Sequence, residues 1–344
     1  MIRVPPYSNP SPDTTGRGEH STSNRTHVRR TRTAFDADDH AHNLSEWEQR
    51  YNQFSPGKFR GCLTELWLPD LQIFFETANQ ALHQSCAAWA NAFWFGLPHP
   101  GCAPSRIDAR TIAGNTILYR PGKQQFELHT PEHYGIFGIV IGKTLLEAHL
   151  AQVEGVDPSS LASLARGGAL PLSGEEYGRL IAMLEQTLAD TSADSSLATS
   201  RGEGIRRAIL AHLGDALNTG IHKEIRTGAP QLQRSRELVE RAREIVLACP
   251  GHPVSIAYLC EQLRVSRRSL QYAFRDATGI APLRYLRTLK LNQARRHLHY
   301  ATNPAEHVTR IATTWGFDHL GQFSQDYRKL FGELPSTTLR LATN

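Results

Sequence analysis

The most constraining feature of this chain is a pattern that occurs twice in its C-terminal third. Each copy begins with an Ile-Ala pair, at Ile256 and at Ile311, and these pairs are 55 positions apart. Further on, a constant offset of 53 positions relates Leu270, Phe274, Gly279 and Pro282 to Phe323, Tyr327, Gly332 and Pro335. The two copies therefore differ in the length of one turn. A short helix, a turn and an amphipathic helix closed by glycine and proline predict two similar helix-turn-helix units.

In the first copy, Ser255 and Ser266 are suited to cap helices, and a leading helix is predicted over residues 235–247. Leu270, Ala273 and Phe274 share one helical face and are predicted to be buried. The opposite face carries side chains that can reach base edges in a DNA major groove, or that form a plain solvated surface. The candidate base-reading residues of this first recognition helix are Arg267, Arg268, Gln271, Tyr272 and Arg275.

The second copy predicts a similar helix whose outer face is less polar. Gly316 fits the left-handed residue at the end of the preceding helix. The candidate DNA-contacting residues of this second recognition helix are His319, Leu320, Gly321, Ser324, Gln325 and Arg328. Candidates for phosphate contacts, with a solvated basic face as the alternative, are Arg287, Lys290, Arg295, Arg296 and Lys329.

Charge separates the repeat region from the remainder of the chain. Residues 231–344 carry 17 Lys and Arg against 9 Asp and Glu, whereas the rest carries 21 against 24. This asymmetry favours contact of the C-terminal part with a polyanion. The five scattered cysteines fit a reducing cytosol, and no apolar run approaches 18 residues, so a cytoplasmic, nucleoid-associated protein without a membrane span is expected.

The N-terminal part predicts a different fold class. Residues 1–43 are poor in large apolar side chains and are predicted to be a disordered tail. Short strands separated by turns over residues 44–150, followed by helices up to residue 218, predict a small antiparallel β-barrel or sandwich with a helical appendage. A linker is expected over residues 219–233 and the all-α repeat domain over residues 234–344. The whole chain is then α+β.

The stretch from about Arg236 to Leu341 resembles the DNA-binding domain of the AraC/XylS family of bacterial transcription regulators. The residues that carry the resemblance are Ile256-Ala257, Ser266, Leu270-Gln271, Phe274, Gly279, Pro282, Tyr285-Leu286, Leu291, Ala294-Arg295, Ile311-Ala312, Gly316-Phe317, Phe323-Ser324, Tyr327-Arg328, Phe331-Gly332 and Pro335-Ser336. The resemblance implies seven helices, with two recognition helices in successive major grooves. By position, it implies base contacts by Arg268, Gln271, Tyr272, Leu320, Gly321, Ser324 and Gln325. The run Thr313-Thr314-Trp315 departs from the family pattern.

The family also implies an N-terminal cupin-like domain that binds an effector and mediates dimerisation. The layout loosely resembles the ethanolamine-regulator branch, although no residue identifies that ligand. Aromatic residues that could line an effector pocket, or form plain core, are Trp67, Phe75, Phe93, Phe95 and Tyr119.

Metal and enzyme interpretations find little support in the sequence. His129, Glu132 and His133 are potential metal ligands that lie close together in the sequence. They lack the H-x-H pair of metal cupins, however, and are predicted to lie in a surface loop. His40 and His42 have that spacing but fall in the predicted tail. Nucleophile-elbow and nucleotide-binding motifs are absent, so no catalytic residue, metal or cofactor is predicted.

The resulting hypothesis is a sequence-specific DNA-binding regulator, an activator gated by a small molecule in the N-terminal domain. Its expected partners are double-stranded DNA, the effector, RNA polymerase and a second copy of the chain. One alternative is an effector-independent regulator whose N-terminal domain mediates protein interaction or dimerisation. The other is a cupin enzyme fused to a DNA-binding domain.

Overall fold

A computed structural model describes residues 28–112, 114–153, 164–189, 198–221, 230–302 and 307–343. Of these described residues, the N-terminal part contains two β-sheets and four helices, and the C-terminal part contains seven helices. The chain is therefore α+β, as the sequence predicts. Within these ranges, no helix combines the length and the apolar character needed to cross a bilayer.

Twelve strands form the two sheets of the described N-terminal residues. Their bounds are β1 Val28–Ala34, β2 Glu48–Gln53, β3 Gly61–Leu68, β4 Leu71–Ala78, β5 Leu82–Ala87, β6 Ala92–Pro98, β7 Ser105–Ile107, β8 Arg110–Ile112, β9 Thr116–Pro121, β10 Phe126–Thr130, β11 Tyr134–Gly142 and β12 Gly168–Pro171. The larger sheet has the order β1-β3-β4-β11-β6-β9-β12, and the smaller has the order β2-β5-β10-β7-β8. All of their pairings are antiparallel.

The two sheets pack face to face and do not close into one barrel, which corrects the prediction of a β-barrel. One apolar cluster fills the space between them and takes side chains from both, including Tyr51, Phe74, Trp94 and Phe126. Phe74 lies across Gly138, where a Cβ atom would be 2.0 Å from its ring. The interior is therefore filled by aromatic side chains, as in a β-sandwich.

A second cluster covers the other face of the larger sheet with helices. These are α2 Lys143–Gln152, α3 Gly174–Ala189 and α4 Ala198–Ile221. Ser173 caps α3, accepting from the backbone N–H of Glu176, whose carboxylate accepts in return from Ser173. Ile209 and Leu213 of α4 are fully buried in this cluster against the larger sheet.

The predicted disordered tail is wrong from Val28 onwards. Strand β1 pairs with β3 along its whole length, and helix α1, Ala37–Ala41, follows it. Asp36 caps α1 by accepting from the N–H of Asp38 at 2.7 Å. The rest of that predicted tail, residues 1–27, lies outside the described residues, as do residues 222–229 of the predicted linker.

Seven helices form the C-terminal part. They are α5 Pro230–Ala248, α6 Ile256–Leu263, α7 Arg267–Thr278, α8 Pro282–His299, α9 Val308–Thr314, α10 Leu320–Phe331 and α11 Pro335–Thr343. The two 12-residue helices α7 and α10 are related by the same offset of 53 positions that the sequence shows. Helix α8 contributes to the apolar cores of both repeat units.

Candidate nucleic-acid interface

The first helix-turn-helix unit consists of α6 and α7. Ser255 and Ser266 cap the two helices, and Arg264 makes the turn between them in a left-handed conformation with φ of 53°. Helix α7 ends at Gly279, whose φ of 74° is a conformation that favours glycine. Leu270 and Phe274 are fully buried, so the opposite face of α7 points away from the core.

The predicted base-reading residues of α7 are all exposed, namely Arg267, Arg268, Gln271, Tyr272 and Arg275. Arg268 donates from Nη2 to the hydroxyl of Tyr272 at 3.1 Å, and its guanidinium lies 5.4 Å from the centre of that ring. The two side chains lie one helical turn apart, so this contact joins neighbours on the exposed face of α7.

The second unit, α9 and α10, repeats this arrangement with different capping. Gly316 has φ of 72° in the turn, as predicted, and Gly332 has φ of 71° after α10. Phe323 and Tyr327 are fully buried. Of the predicted DNA-contacting residues, Ser324 is half-buried, and the exposed ones are His319, Leu320, Gly321, Gln325 and Arg328.

Lys290 joins the two units and does not face solvent, so its predicted phosphate contact is wrong in this structure. Its side chain is 2% exposed and donates to the carbonyl oxygens of Pro250, at 2.9 Å, and His252. Burial lowers the pKa of Lys290 to about 8. Gly316 lies against the same loop, because a Cβ there would be 2.7 Å from the His252 oxygen. The α5–α6 loop therefore ties unit one to unit two.

Arg295 and Arg296 also lie away from any open basic face, which corrects their assignment to DNA phosphates. Arg295 donates to Asp36 at 2.5 Å and to Glu333 at 2.8 Å. Arg296 donates to Asp38 at 2.6 Å and contacts the Tyr51 carbonyl oxygen. These two arginines of α8 thus attach the C-terminal domain to the N-terminal domain.

The two remaining phosphate candidates are exposed. Lys329 follows Arg328 on the surface of α10. Arg287 forms an ion pair with Asp326 of α10 at 2.5 Å, and its side chain is 44% exposed. Both side chains remain accessible to a phosphate.

A second polar cluster joins the domains at strands β5 and β10, and sequence reasoning missed it. His83 contacts the Glu127 carboxylate through Nε2, and its Nδ1 shares a 3.2 Å hydrogen bond with the Tyr285 hydroxyl. Arg243 of α5 pairs with Glu127 at 3.2 Å. Burial raises the pKa of Glu127, but His83 and Arg243 outweigh it, so the pKa lies well below its usual range. No local pattern marks these residues, because their partners are remote in sequence.

His129 lies in strand β10, not in a surface loop as predicted. Its ring stacks on His83 at 4.4 Å, and burial, followed by the charge of His83, lowers its pKa well below 6.5. His40, predicted to be in a tail, is buried 3.1 Å from Glu76. Among the residues that the structure describes, no group of three His, Cys, Asp or Glu side chains is arranged to hold a metal ion.

The interdomain contacts lie away from the outer faces of the recognition helices. Gly279 packs against Arg106 of β7, and Gly332 packs against Lys58, so both recognition helices meet the N-terminal domain at their C-terminal ends. The predicted base-reading side chains remain exposed beside these contacts. The N-terminal domain therefore holds the two units without covering that surface.

The predicted effector-pocket residues do not line one cavity. Phe93, Phe95 and Tyr119 belong to the core between the larger sheet and the helices. Trp67 is buried on the other face and donates to Glu65 at 2.8 Å. Phe75 is half-buried in an open groove at one end of the sheet. Four of the five side chains are therefore buried, and the fifth, Phe75, borders an open groove.

The C-terminal repeat region is similar to the DNA-binding regions of known regulators, as the following matches show. Residues 259–341 match a family model described as a helix-turn-helix domain. Over 102 residues the chain is 42% identical to the XylDLEGF operon transcriptional activator 2 of Pseudomonas putida, covering 30% of this chain and 65% of that protein. Over 103 residues it is 37% identical to a probable thc operon regulatory protein of Rhodococcus erythropolis, covering 30% and 31%. The chain thus spans less than two thirds of these relatives.

Among solved structures, the chain is similar to the AraC-like transcriptional activator CuxR. The identity is 16% with a TM-score of 0.39, over 78% of this chain and 96% of the other. A probable AraC family regulator from Rhodopseudomonas palustris is 32% identical with a TM-score of 0.29, over 31% of this chain and 99% of that one.

Proposed function

Since the chain belongs to the AraC/XylS family of transcription regulators, we propose that it binds specific double-stranded DNA sequences and activates transcription there. The observation that carries this proposal is the pair of exposed outer faces on α7 and α10, joined by one helix that belongs to both cores. Two such helices can enter successive major grooves about one duplex turn apart.

Within this proposal the residues have separate roles. Arg268 and Gln271 read base edges, for which guanidinium and amide groups are suited. The second helix supplies fewer hydrogen bonds, and Leu320, which is 38% exposed, offers an apolar contact to a thymine methyl. Lys329 and Arg287 contact phosphates, which set orientation and not sequence.

The proposal extends to gating by a small molecule bound to the N-terminal domain. Its support is the physical attachment of that domain to two helices of the repeat region, through Arg243 of α5, which packs in the core of the first unit, and Arg295 of α8, which packs in the cores of both units. A ligand that changes this attachment shifts the balance between arrangements of the two units. The proposal also includes two protein partners, a second copy of the chain and RNA polymerase. The chain would meet both of them in the cytoplasm.

The test is selection of bound DNA from a random pool by the full-length protein at a stated salt concentration. We expect enrichment of two short sequence blocks about 10 base pairs apart. Arg268→Ala should relax the preference at one base position by about 1–3 kcal/mol, whereas Lys329→Gln should weaken all sequences alike. Failure to enrich any motif, with and without candidate effectors, would refute sequence-specific binding.

A further inference from the structure

The loop between β2 and β3 of the N-terminal domain is anchored to the last turn of the second recognition helix. Gly57 N–H donates to the Leu330 carbonyl oxygen at 3.0 Å, and Gln53 Nε2 donates to the same oxygen at 2.7 Å. A carbonyl at the end of a helix lacks a partner within that helix, so this loop supplies its cap. Lys58 packs against Gly332, where a Cβ would be 2.7 Å from the lysine Cγ. The loop is thereby fixed relative to α10.

The same loop displays two cations on a backbone that is held from the other side as well. The Lys58 carbonyl oxygen accepts from Asn79 Nδ2 at 2.9 Å, and the N–H of Arg60 donates to Asn79 Oδ1 at 2.7 Å. Lys58 and Arg60 are exposed, whereas Phe59 between them is 4% exposed. This order is the alternation of an extended chain, in which successive side chains point to opposite sides. Both cations are therefore in place before an anion binds, which lowers the cost of binding one.

The last turns of α10 add two further exposed cations. Arg328 and Lys329 precede Gly332 by four and three positions, a spacing that makes side chains neighbours on a helix surface. Because Lys58 packs on Gly332, the basic groups of the two domains meet at this end of α10. Together Lys58, Arg60, Arg328 and Lys329 form a basic junction surface. Like charges that lie close together repel one another, and a bound polyanion relieves that repulsion.

The acidic side chains of the same segments have other partners. Residues 320–334 contain two of them, Asp326 and Glu333. Asp326 pairs with Arg287 at 2.5 Å, and Glu333 pairs with Arg295 at 2.8 Å. Glu65, the acidic residue of strand β3, is 1% exposed and accepts from an indole N–H within the N-terminal domain. None of these three carboxylates therefore neutralises the basic junction surface.

The equivalent end of the first recognition helix is different. Gly279 corresponds to Gly332 in the repeat and packs against Arg106, but this arginine is half-buried. Asp276 stands at the position that corresponds to Lys329, so the last turn of α7 carries an acid where α10 carries a base. The two ends of the repeat domain thus differ in charge. A contact of the N-terminal domain with a polyanion is favoured beside α10 and not beside α7.

We propose that the N-terminal domain itself contacts DNA, with Lys58 and Arg60 binding phosphates of the duplex next to the block that α10 reads. This contact rests on the proposed function, because it requires α10 to lie in a major groove. Two residues of an extended chain span about 6.6 Å. Phosphates of one strand occur every ~3.4 Å along the duplex axis, so Lys58 and Arg60 can contact separate phosphates. Such contacts add affinity and fix orientation without reading bases.

The first test measures the salt dependence of binding by the full-length protein to the selected DNA. Each phosphate contact contributes about 0.9 to the slope of log K against log salt, or about 3.5-fold in affinity between about 50 and 200 mM salt. Lys58→Gln should make the slope shallower by about 0.9, and the double variant Lys58→Gln/Arg60→Gln by about 1.8. Lys143→Gln, at an exposed position on α2 of the same domain, is the control and should leave the slope unchanged. An unchanged slope in the double variant, or an equal change in Lys143→Gln, would overturn the proposal.

The second test locates the contact on the DNA. One duplex is shortened to the edge of the block that α10 reads, and a control duplex is shortened by the same length beyond the other block. On the first duplex the natural protein should lose about 1.8 more of the slope than the double variant loses. On the control duplex the two proteins should lose the same amount. Equal losses on the first duplex would overturn the proposal. Selection of a DNA motif would still succeed in that case, so the failure would be distinct from a failure of DNA binding itself.

Discussion

Replacing Lys290 by methionine removes the ammonium group that ties α8 to the α5–α6 loop, while it keeps most of the side-chain volume. Two partly buried carbonyl oxygens, those of Pro250 and His252, lose their donor. A hydrogen bond from a charged donor contributes about 1.5–3 kcal/mol. Part of this loss is offset because the ammonium no longer has to be buried, a cost that is reflected in its pKa of about 8. We expect a net loss of about 2 kcal/mol in the free energy of unfolding, measured with urea.

The same variant separates a structural lysine from a phosphate contact. Each phosphate contact makes the plot of log K for DNA binding against log salt steeper by about 0.9. Lys290→Met should leave this slope unchanged. Lys329→Gln, at an exposed position, should make it shallower by about 0.9 with a change in unfolding free energy below about 0.5 kcal/mol. A shallower slope for Lys290→Met without loss of stability would show that Lys290 leaves its buried position to contact DNA.

Three further substitutions test local features of the structure. Gly316→Ala should lower the free energy of unfolding in urea by at least about 2 kcal/mol, because its φ is 72° and its Cβ would be 2.7 Å from a carbonyl oxygen. Gly178→Ala, which lies in open space on α3, is the control and should be neutral or stabilising. Arg264→Gly should stabilise by up to about 1 kcal/mol, since it relieves a left-handed residue in the first turn, and a loss would show that the arginine side chain contributes more than its backbone costs. The hydrogen bond to Asp39 raises the pKa of His299 above 6.5, so the contribution of His299 to stability is complete below that pH and is lost as pH rises through the raised pKa. His299→Gln should therefore destabilise more at pH 6 than at pH 8.5, and an equal effect at both would contradict a charged pair.

The elements of the repeat domain follow closely from its sequence because their signals are local. Ser266 and Gly279 mark the two ends of α7, and the structure begins and ends that helix at those residues. Leu270 and Phe274 lie one turn apart, and both are fully buried. Caps, left-handed glycines and apolar stripes act over a single turn, so residue types at the right spacing are enough to predict them.

The N-terminal domain is less predictable because alternation along a strand does not say which face is inside. Phe93 and Phe95 share a face, as their spacing indicates, and Trp94 takes the other. Both faces of the central strand are buried, one against helices and one against the smaller sheet. Aromatic residues on either face are therefore core, and the half-buried position of Phe75 at the edge of this core cannot be inferred from the alternation.

Two errors of sequence reasoning at the domain interface have one cause. The acidic segment at Asp36 and Asp38 is too poor in apolar residues to fold alone, which predicts disorder. Arg295 and Arg296 form a basic helical face, which predicts contact with an external anion. In the structure the two sets pair with each other. Arg295 donates to Asp36, 259 positions away in the sequence, and Arg296 donates to Asp38, 258 positions away. The arginines pair with this acidic segment, and for that reason they are unavailable to DNA. Charge asymmetry between domains therefore overstates the basic surface left for DNA, since part of it is neutralised within the chain.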